Sequence, residues 1–145
     1  MSKFTCVVLC AVAVSFSNVY AVEDENASFD EDYEDFRDEC LDIYEMTKDD
    51  LYGGNESAIH PCYWGCFYKK FGLLNEKGQY DLNNFLVYIK KSMPGDDQGI
   101  AMKEKMAKKC ESVKDAVVSD GEAGCERGAL LGACLLKITE ASMAE

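Results

Sequence analysis

All-α is the class this sequence predicts, as a compact array of about six helices held by three disulfides. Three observations carry it. Apolar residues recur three and four apart through almost every segment, and no stretch alternates convincingly enough to be a strand. Asp, Pro and Gly stand where helices start and stop. Six cysteines remain once an N-terminal leader is set aside, and an even number in a small acidic secreted domain reads as three disulfides.

The leader comes first. Lys3 is followed by an uncharged run from Phe4 to Phe16 and then by Val19-Tyr20-Ala21. A charged start, an apolar core and a Val-x-Ala cleavage pattern predict a signal peptide over residues 1–21. The run is shorter than the ~20 residues a membrane span needs. Cleavage would remove Cys6, Cys10 and Lys3, making the formal net charge of −12 one unit more negative. A secreted chain meets an oxidising compartment, in which cysteines pair. Residues 22–145 then form one domain, since no Pro/Gly/Ser-rich linker or internal repeat divides them. Strong negative charge argues against nucleic acid, whose phosphates need Lys and Arg, and against an anionic membrane surface.

Val22 to Ala27 reads as an acidic tail. Ser28-Phe29-Asp30-Glu31 is a capping box. Phe29, Tyr33, Phe36, Cys40, Ile43, Thr47 and Leu51 then fall at helical spacing, which predicts one helix stopped by Gly53-Gly54. A turn around Glu56–His60 leads to His60-Pro61-Cys62-Tyr63-Trp64-Gly65-Cys66-Phe67-Tyr68-Lys69-Lys70-Phe71-Gly72. Pro61 suits a first helical position, because its missing N–H has no partner there anyway. Gly72 suits the left-handed residue that ends a helix, with Leu73 and Leu74 packing back on it. Cys62 and Cys66 share one side of this short helix, and Tyr63, Phe67, Phe71 and Leu74 form another. A helix with a thiol side and an aromatic side needs covering on both, so the rest of the chain is expected to fold around it.

Asn75 to Tyr80 is a polar turn. Asp81 caps the next helix, carried by Leu82, Phe85, Leu86 and Ile89 and ended by Met93-Pro94-Gly95. Asp96 or Asp97 starts another, with Ile100, Met102, Met106, Cys110, Val113 and Val117 on one face. Ser119-Asp120-Gly121 breaks the chain. The last helix is expected from about Glu122 to Ile138. Its run Ala129 to Leu136 is apolar all round, which predicts the most buried helix. Gly124, Gly128 and Gly132 lie four apart. Each weakens a helix by roughly 1 kcal/mol relative to alanine, so close backbone approach or room for a ligand is the expected compensation. Cys125 and Cys134 are half a turn apart and staple opposite faces. The tail Thr139–Glu145 folds over a pocket mouth or frays.

The cysteines follow Cys40-x21-Cys62-x3-Cys66-x43-Cys110-x14-Cys125-x8-Cys134. This resembles the six-cysteine pattern of the insect odorant-binding proteins, the pheromone-binding and general odorant-binding group, whose fixed x3 and x8 intervals are both present. The resemblance covers roughly Asp35 to Ile138. It implies the pairs Cys40–Cys66, Cys62–Cys125 and Cys110–Cys134; spacing alone leaves the connectivity open. It also implies an apolar cavity and carriage of small hydrophobic molecules through extracellular fluid, such as sensillar lymph or haemolymph. An olfactory receptor is an implied partner, and a monomer or weak homodimer is expected. Candidate cavity residues are Phe36, Tyr44, Phe67, Phe71, Phe85, Ile89, Met93, Met102, Met106, Leu130, Leu131 and Leu135. Each is equally suited to an ordinary filled core, and the family likeness tips the set toward a cavity. Tyr44, Tyr52, Tyr63, Tyr80 and Tyr88 are candidate hydroxyls for a ligand's polar group.

Other classes find less in the sequence. The only histidine, His60, precedes Pro61, and Cys-x3-Cys is not a zinc-ribbon spacing, so no metal and no cofactor are expected. One histidine leaves no convincing Ser-His-Asp set, and carboxylate pairs mean nothing specific in so acidic a chain. The chain is therefore not read as an enzyme. The rival is a non-olfactory carrier or scavenger of amines, hormones or lipids, favoured if an acid lines the pocket. A structural interaction protein with a filled core is the third reading. His60 and the many carboxylates raise pH-dependent release. Asn26-Ala27-Ser28 and Asn55-Glu56-Ser57 are glycosylation sequons.

Overall fold

The computed structural model describes residues 29–143. The leader, Cys6, Cys10, the Asn26 sequon and the Ser28 half of the first capping box lie outside them. Among the described residues there are six α-helices and no strand beyond a single antiparallel bridge between Leu74 and Tyr80. The helices are α1 (Phe29–Ile43), α2 (Lys48–Tyr52), α3 (Tyr63–Lys70), α4 (Leu82–Ser92), α5 (Asp97–Lys109) and α6 (Cys125–Met143). Short 3₁₀ turns occupy Glu56–Ala58, Glu111–Asp115 and Gly121–Ala123.

The predicted first helix is two helices. Glu45 takes φ 52° and breaks the run. Thr47 then opens α2 with its own capping box. Its hydroxyl accepts from the Asp50 N–H at 3.2 Å, while its N–H donates to Asp50 Oδ2 at 2.7 Å. Two terminal donors are satisfied within one turn, so the chain restarts rather than continues. α5 also stops earlier than its apolar spacing predicts. Cys110 ends it, and Val117 is fully exposed instead of facing the core. The chain tightens there into a 3₁₀ turn while Cys110 bonds Cys134 on α6. At the other end, Gly124 is left-handed (φ 71°), so α6 begins at Cys125 rather than Glu122.

α3 sits at the centre. It begins one residue after Cys62, two later than Pro61 would place its start, because the Tyr63 N–H closes a turn on the His60 carbonyl. Gly72 ends it at φ 75°, and the Leu74 N–H returns to the Tyr68 carbonyl at 3.2 Å. Leu73 and Leu74 are buried against that last turn. Asp81 and Asp96 cap α4 and α5, accepting from the N–H groups of Asn84 and Gly99. α6, predicted to be the most buried helix, is not: Leu130 is 46% and Leu136 51% exposed. α6 covers α3 with one face and leaves the other to solvent. It also runs through the expected tail to Met143.

α3 and α6 pack backbone to backbone, and the glycines explain it. A Cβ on Gly128 would lie 2.6 Å from Gly65 Cα, and one on Gly65 would lie 2.7 Å from the Gly124 carbonyl oxygen. Cys62–Cys125 fastens the head of this seam with Cα atoms 4.2 Å apart. Cys40–Cys66 ties α1 to α3, and Cys110–Cys134 ties the end of α5 to α6. Each closes a loop long enough to stabilise by roughly 3–5 kcal/mol in the chain-entropy treatment. Arg127 adds a tie that the sequence did not announce. Its guanidinium donates to the carbonyls of Gly78 (3.1 Å), Lys114 (3.0 Å), Ala116 (3.2 Å) and Val113. A buried cation is thereby satisfied wholly by backbone oxygens, and α6 is pinned to two loops.

Candidate functional site: an aromatic cavity beside α3

Beside α3, bounded by α1, α4, α5 and the C-terminal part of α6, there is a cavity of about 250 Å³. That is at the lower edge of the ~300–1,000 Å³ usual for small-molecule pockets. α3 supplies Trp64, Phe67, Tyr68 and, just past its end, Phe71. α1 supplies Phe29 and Tyr33, α4 Phe85, α5 Lys103, Met106 and Ala107, and α6 Leu135, Leu136 and Thr139; Leu73 closes the wall.

Helical spacing makes this wall. Phe67 and Phe71 are one turn apart with ring centroids at 4.9 Å, and Tyr33 stands edge-on to Phe67 at 5.2 Å. Phe29 lies 5.2 Å from Phe71, and Trp64 stacks on Tyr68 at 5.7 Å. Tilted and edge-to-face contacts hold aromatic rings in fixed orientations, which keeps the rings from collapsing into the space between them.

Of the sequence candidates, Phe67, Phe71, Phe85, Met106 and Leu135 meet at the cavity. The other candidates lie elsewhere. Ile89 and Leu131 are fully buried in filled core. Phe36 packs behind the wall, edge-on to Phe71 at 5.0 Å. Tyr44 stacks on His60 at 4.4 Å. Met93 is the C-cap of α4, and Met102 and Leu130 are on the surface, 57% and 46% exposed.

The hydroxyl candidates fare differently. None of Tyr44, Tyr52, Tyr63, Tyr80 and Tyr88 lines the cavity. Tyr80 donates to the Ala107 carbonyl at 2.7 Å, and Tyr88 donates to Asp32, tying α4 to α1. The cavity tyrosines are Tyr33 and Tyr68. Burial, and next the neighbouring Tyr52, push the Tyr33 phenol up to about 12. Burial pushes Tyr68 above the usual phenol range, so both stay protonated donors in neutral solution.

Lys103 is the charged residue of the wall. It is half-buried, and its ammonium lies 3.7 Å above the centroid of the Phe29 ring, within cation–π range. Burial pulls its pKa below the usual lysine range, and the fields of Asp30 and Asp96 oppose that shift. Apolar periodicity could not find Lys103, because it reads as an ordinary polar position of α5. Its signal is the placement on the helix: Lys103 and Met106 are three apart and share a face.

Two further observations bound the site. Among the described residues, no group of His, Cys, Asp and Glu is arranged to hold a metal ion, and no helix is long and apolar enough to cross a membrane.

In sequence comparisons the chain matches the PBP/GOBP family over residues 23–138. No curated protein and no solved structure gives a significant match.

Proposed function

This chain belongs to the PBP/GOBP family of odorant and pheromone carriers, and on that footing we propose that it takes up small hydrophobic molecules in the aromatic cavity and carries them through extracellular fluid to a receptor. The family is one of binding proteins rather than enzymes. The observation that supports the reading is the cavity itself: about 250 Å³ of space walled by Phe29, Tyr33, Phe67, Phe71 and Leu135 in a domain otherwise closed by three disulfides. A ligand burying ~300 Å² of apolar area there gains about 7 kcal/mol, and after ordering costs a micromolar affinity is expected. The leader read over residues 1–21 supports export of residues 22–145.

Release at lower pH is the finer step of this proposal. His60 Nδ1 accepts the Cys62 N–H at 3.1 Å, at the head of the helix that lines the cavity. A proton on that nitrogen removes the acceptor and loosens the start of α3. A fluorescent hydrophobic probe tests both steps on the oxidised residues 22–145. Saturable uptake, displaced by neutral volatiles, with several-fold weaker binding at pH 5 than at pH 7 and a flat profile in His60→Gln, is the expected result. Equal affinity at both pH values removes the release step. A correctly oxidised domain that takes up no probe returns the chain to the reading of a filled interaction protein.

The scavenger of amines is the less favoured occupant, because no carboxylate lines the cavity.

A further inference from the structure

The polar groups of the cavity wall are Lys103, Tyr33, Tyr68, Trp64 and Thr139. All five carry N–H or O–H donors. The Thr139 hydroxyl is already turned to the Leu135 carbonyl at 3.0 Å. The Tyr68 side chain is only 6% exposed, yet among the described residues its hydroxyl donates to nothing. A hydroxyl in that position is a donor available to a ligand oxygen. Among the described residues the Lys103 ammonium makes no ion pair. Its contact is with the face of Phe29, itself part of the wall. Asp30 and Asp96 act on it through space only.

A wall with donors, one fixed cation and no carboxylate selects for an acceptor. We infer that the ligand is an apolar chain or ring ending in a carboxylate, which the Lys103 ammonium and the Tyr68 hydroxyl grip while the aromatic rings hold the hydrocarbon. This deepens the carrier reading and rests on it. The formal net charge of −12 repels anions at a distance, but salt screens charges beyond roughly 8 Å in physiological solution. Contact with a half-buried ammonium is screened far less, so the local cation decides. A charge-assisted hydrogen bond is also about twice as strong as a neutral one.

Four ligands with one carbon chain test this: octanoate, octanal, 1-octanol and octylamine, each displacing the probe from the oxidised domain at pH 7.5. The expected order of affinity runs from octanoate through octanal and octanol to octylamine, with octanoate at least about ten times tighter than octanol. Lys103→Met should abolish the octanoate advantage over octanol, Lys103→Arg should preserve it, and Tyr68→Phe should reduce it. Octylamine binding as tightly as octanoate, or an octanoate advantage that survives Lys103→Met, overturns the inference. Equal binding of all four overturns it while leaving the carrier reading intact. No binding of any of them removes both.

Discussion

The two sides of α3 are built on opposite rules. Toward α6 the helix offers Gly65, and backbone meets backbone at Gly124 and Gly128 with no room for a methyl group. Toward the cavity the same helix offers Trp64, Phe67 and Tyr68, whose rings stand around open space, with Trp64 also meeting α6 at Gly132. Disulfides fasten α3 on both sides, Cys62–Cys125 to α6 and Cys40–Cys66 to α1, and only the aromatic side is left unfilled. What the difference teaches is that the void has a structural condition. A helix lining a cavity loses packing on that side, and here the glycine seam and Cys62–Cys125 hold α3 to α6, Cys40–Cys66 holds it to α1, and Arg127 holds α6 to its neighbouring loops.

The comparison breaks most sharply at the seam. Gly128→Ala places a methyl group against the Gly65 backbone, which cannot move aside as a side chain can. The expected cost is about 3 kcal/mol or more, read as a large fall in denaturation midpoint or failure to recover oxidised protein. Arg127→Met removes donors from four carbonyls and should cost about 3 kcal/mol by the same measurement.

A pair of truncations sharpens the contrast between filled and hollow. Ile89→Ala, in filled core, should cost about 2–5 kcal/mol. Met106→Ala, on the cavity wall, should cost about 1 kcal/mol, because part of its surface already faces space. Equal losses at the two sites would mean that the cavity closes in solution.

The smallest effect is in acid. Asp50 is held below the usual carboxylate range by the Thr47 N–H and hydroxyl, and Glu34 and Asp38 are held low by Arg37. A depressed carboxylate contributes stability that is present above its unfolded pKa, near ~4, and is lost as pH falls through the folded value. These groups therefore keep their contribution at pH 5 and lose it only in stronger acid. Circular dichroism should show helix content unchanged from pH 7 to pH 5, with loosening near α2 beginning below about pH 4. Any change in ligand affinity between pH 7 and pH 5 then belongs to another group, and His60→Gln tests whether that group is His60.

Much of this architecture was readable because local chemistry sets it. Gly72 ends α3, Asp81 and Asp96 open α4 and α5, and Gly124, Gly128 and Gly132 mark the seam, each through an interaction within a few residues or a missing side chain. Thr47-x-x-Asp50 was also readable as a capping box, but the apolar spacing running through it favoured one long helix. The end of α5 was not legible, since the Cys110–Cys134 bridge that accompanies it is a contact with a distant helix. Arg127 was hidden because its carbonyl partners, at Gly78 and around Val113–Ala116, lie outside its own helix and are brought to it only by the fold.

The cavity was legible in kind more than in membership. Phe71 and Ile89 are both apolar residues on an inward stripe, yet one borders space and the other solid core. That distinction arises from how helices cross, which no single stripe records. Lys103 and Tyr68 escaped notice because a search for apolar faces passes over cations and selects tyrosines by position alone.

The most direct test compares the wild-type domain with Leu135→Trp, which adds bulk to the cavity from α6. Titration with a fluorescent hydrophobic probe is predicted to give saturable micromolar uptake by the wild type and at least about tenfold weaker uptake by the variant, with the thermal midpoint shifted by less than about 4 °C. Probe binding that is unchanged in Leu135→Trp would contradict the account, because the ligand would then sit somewhere other than the hollow side of α3.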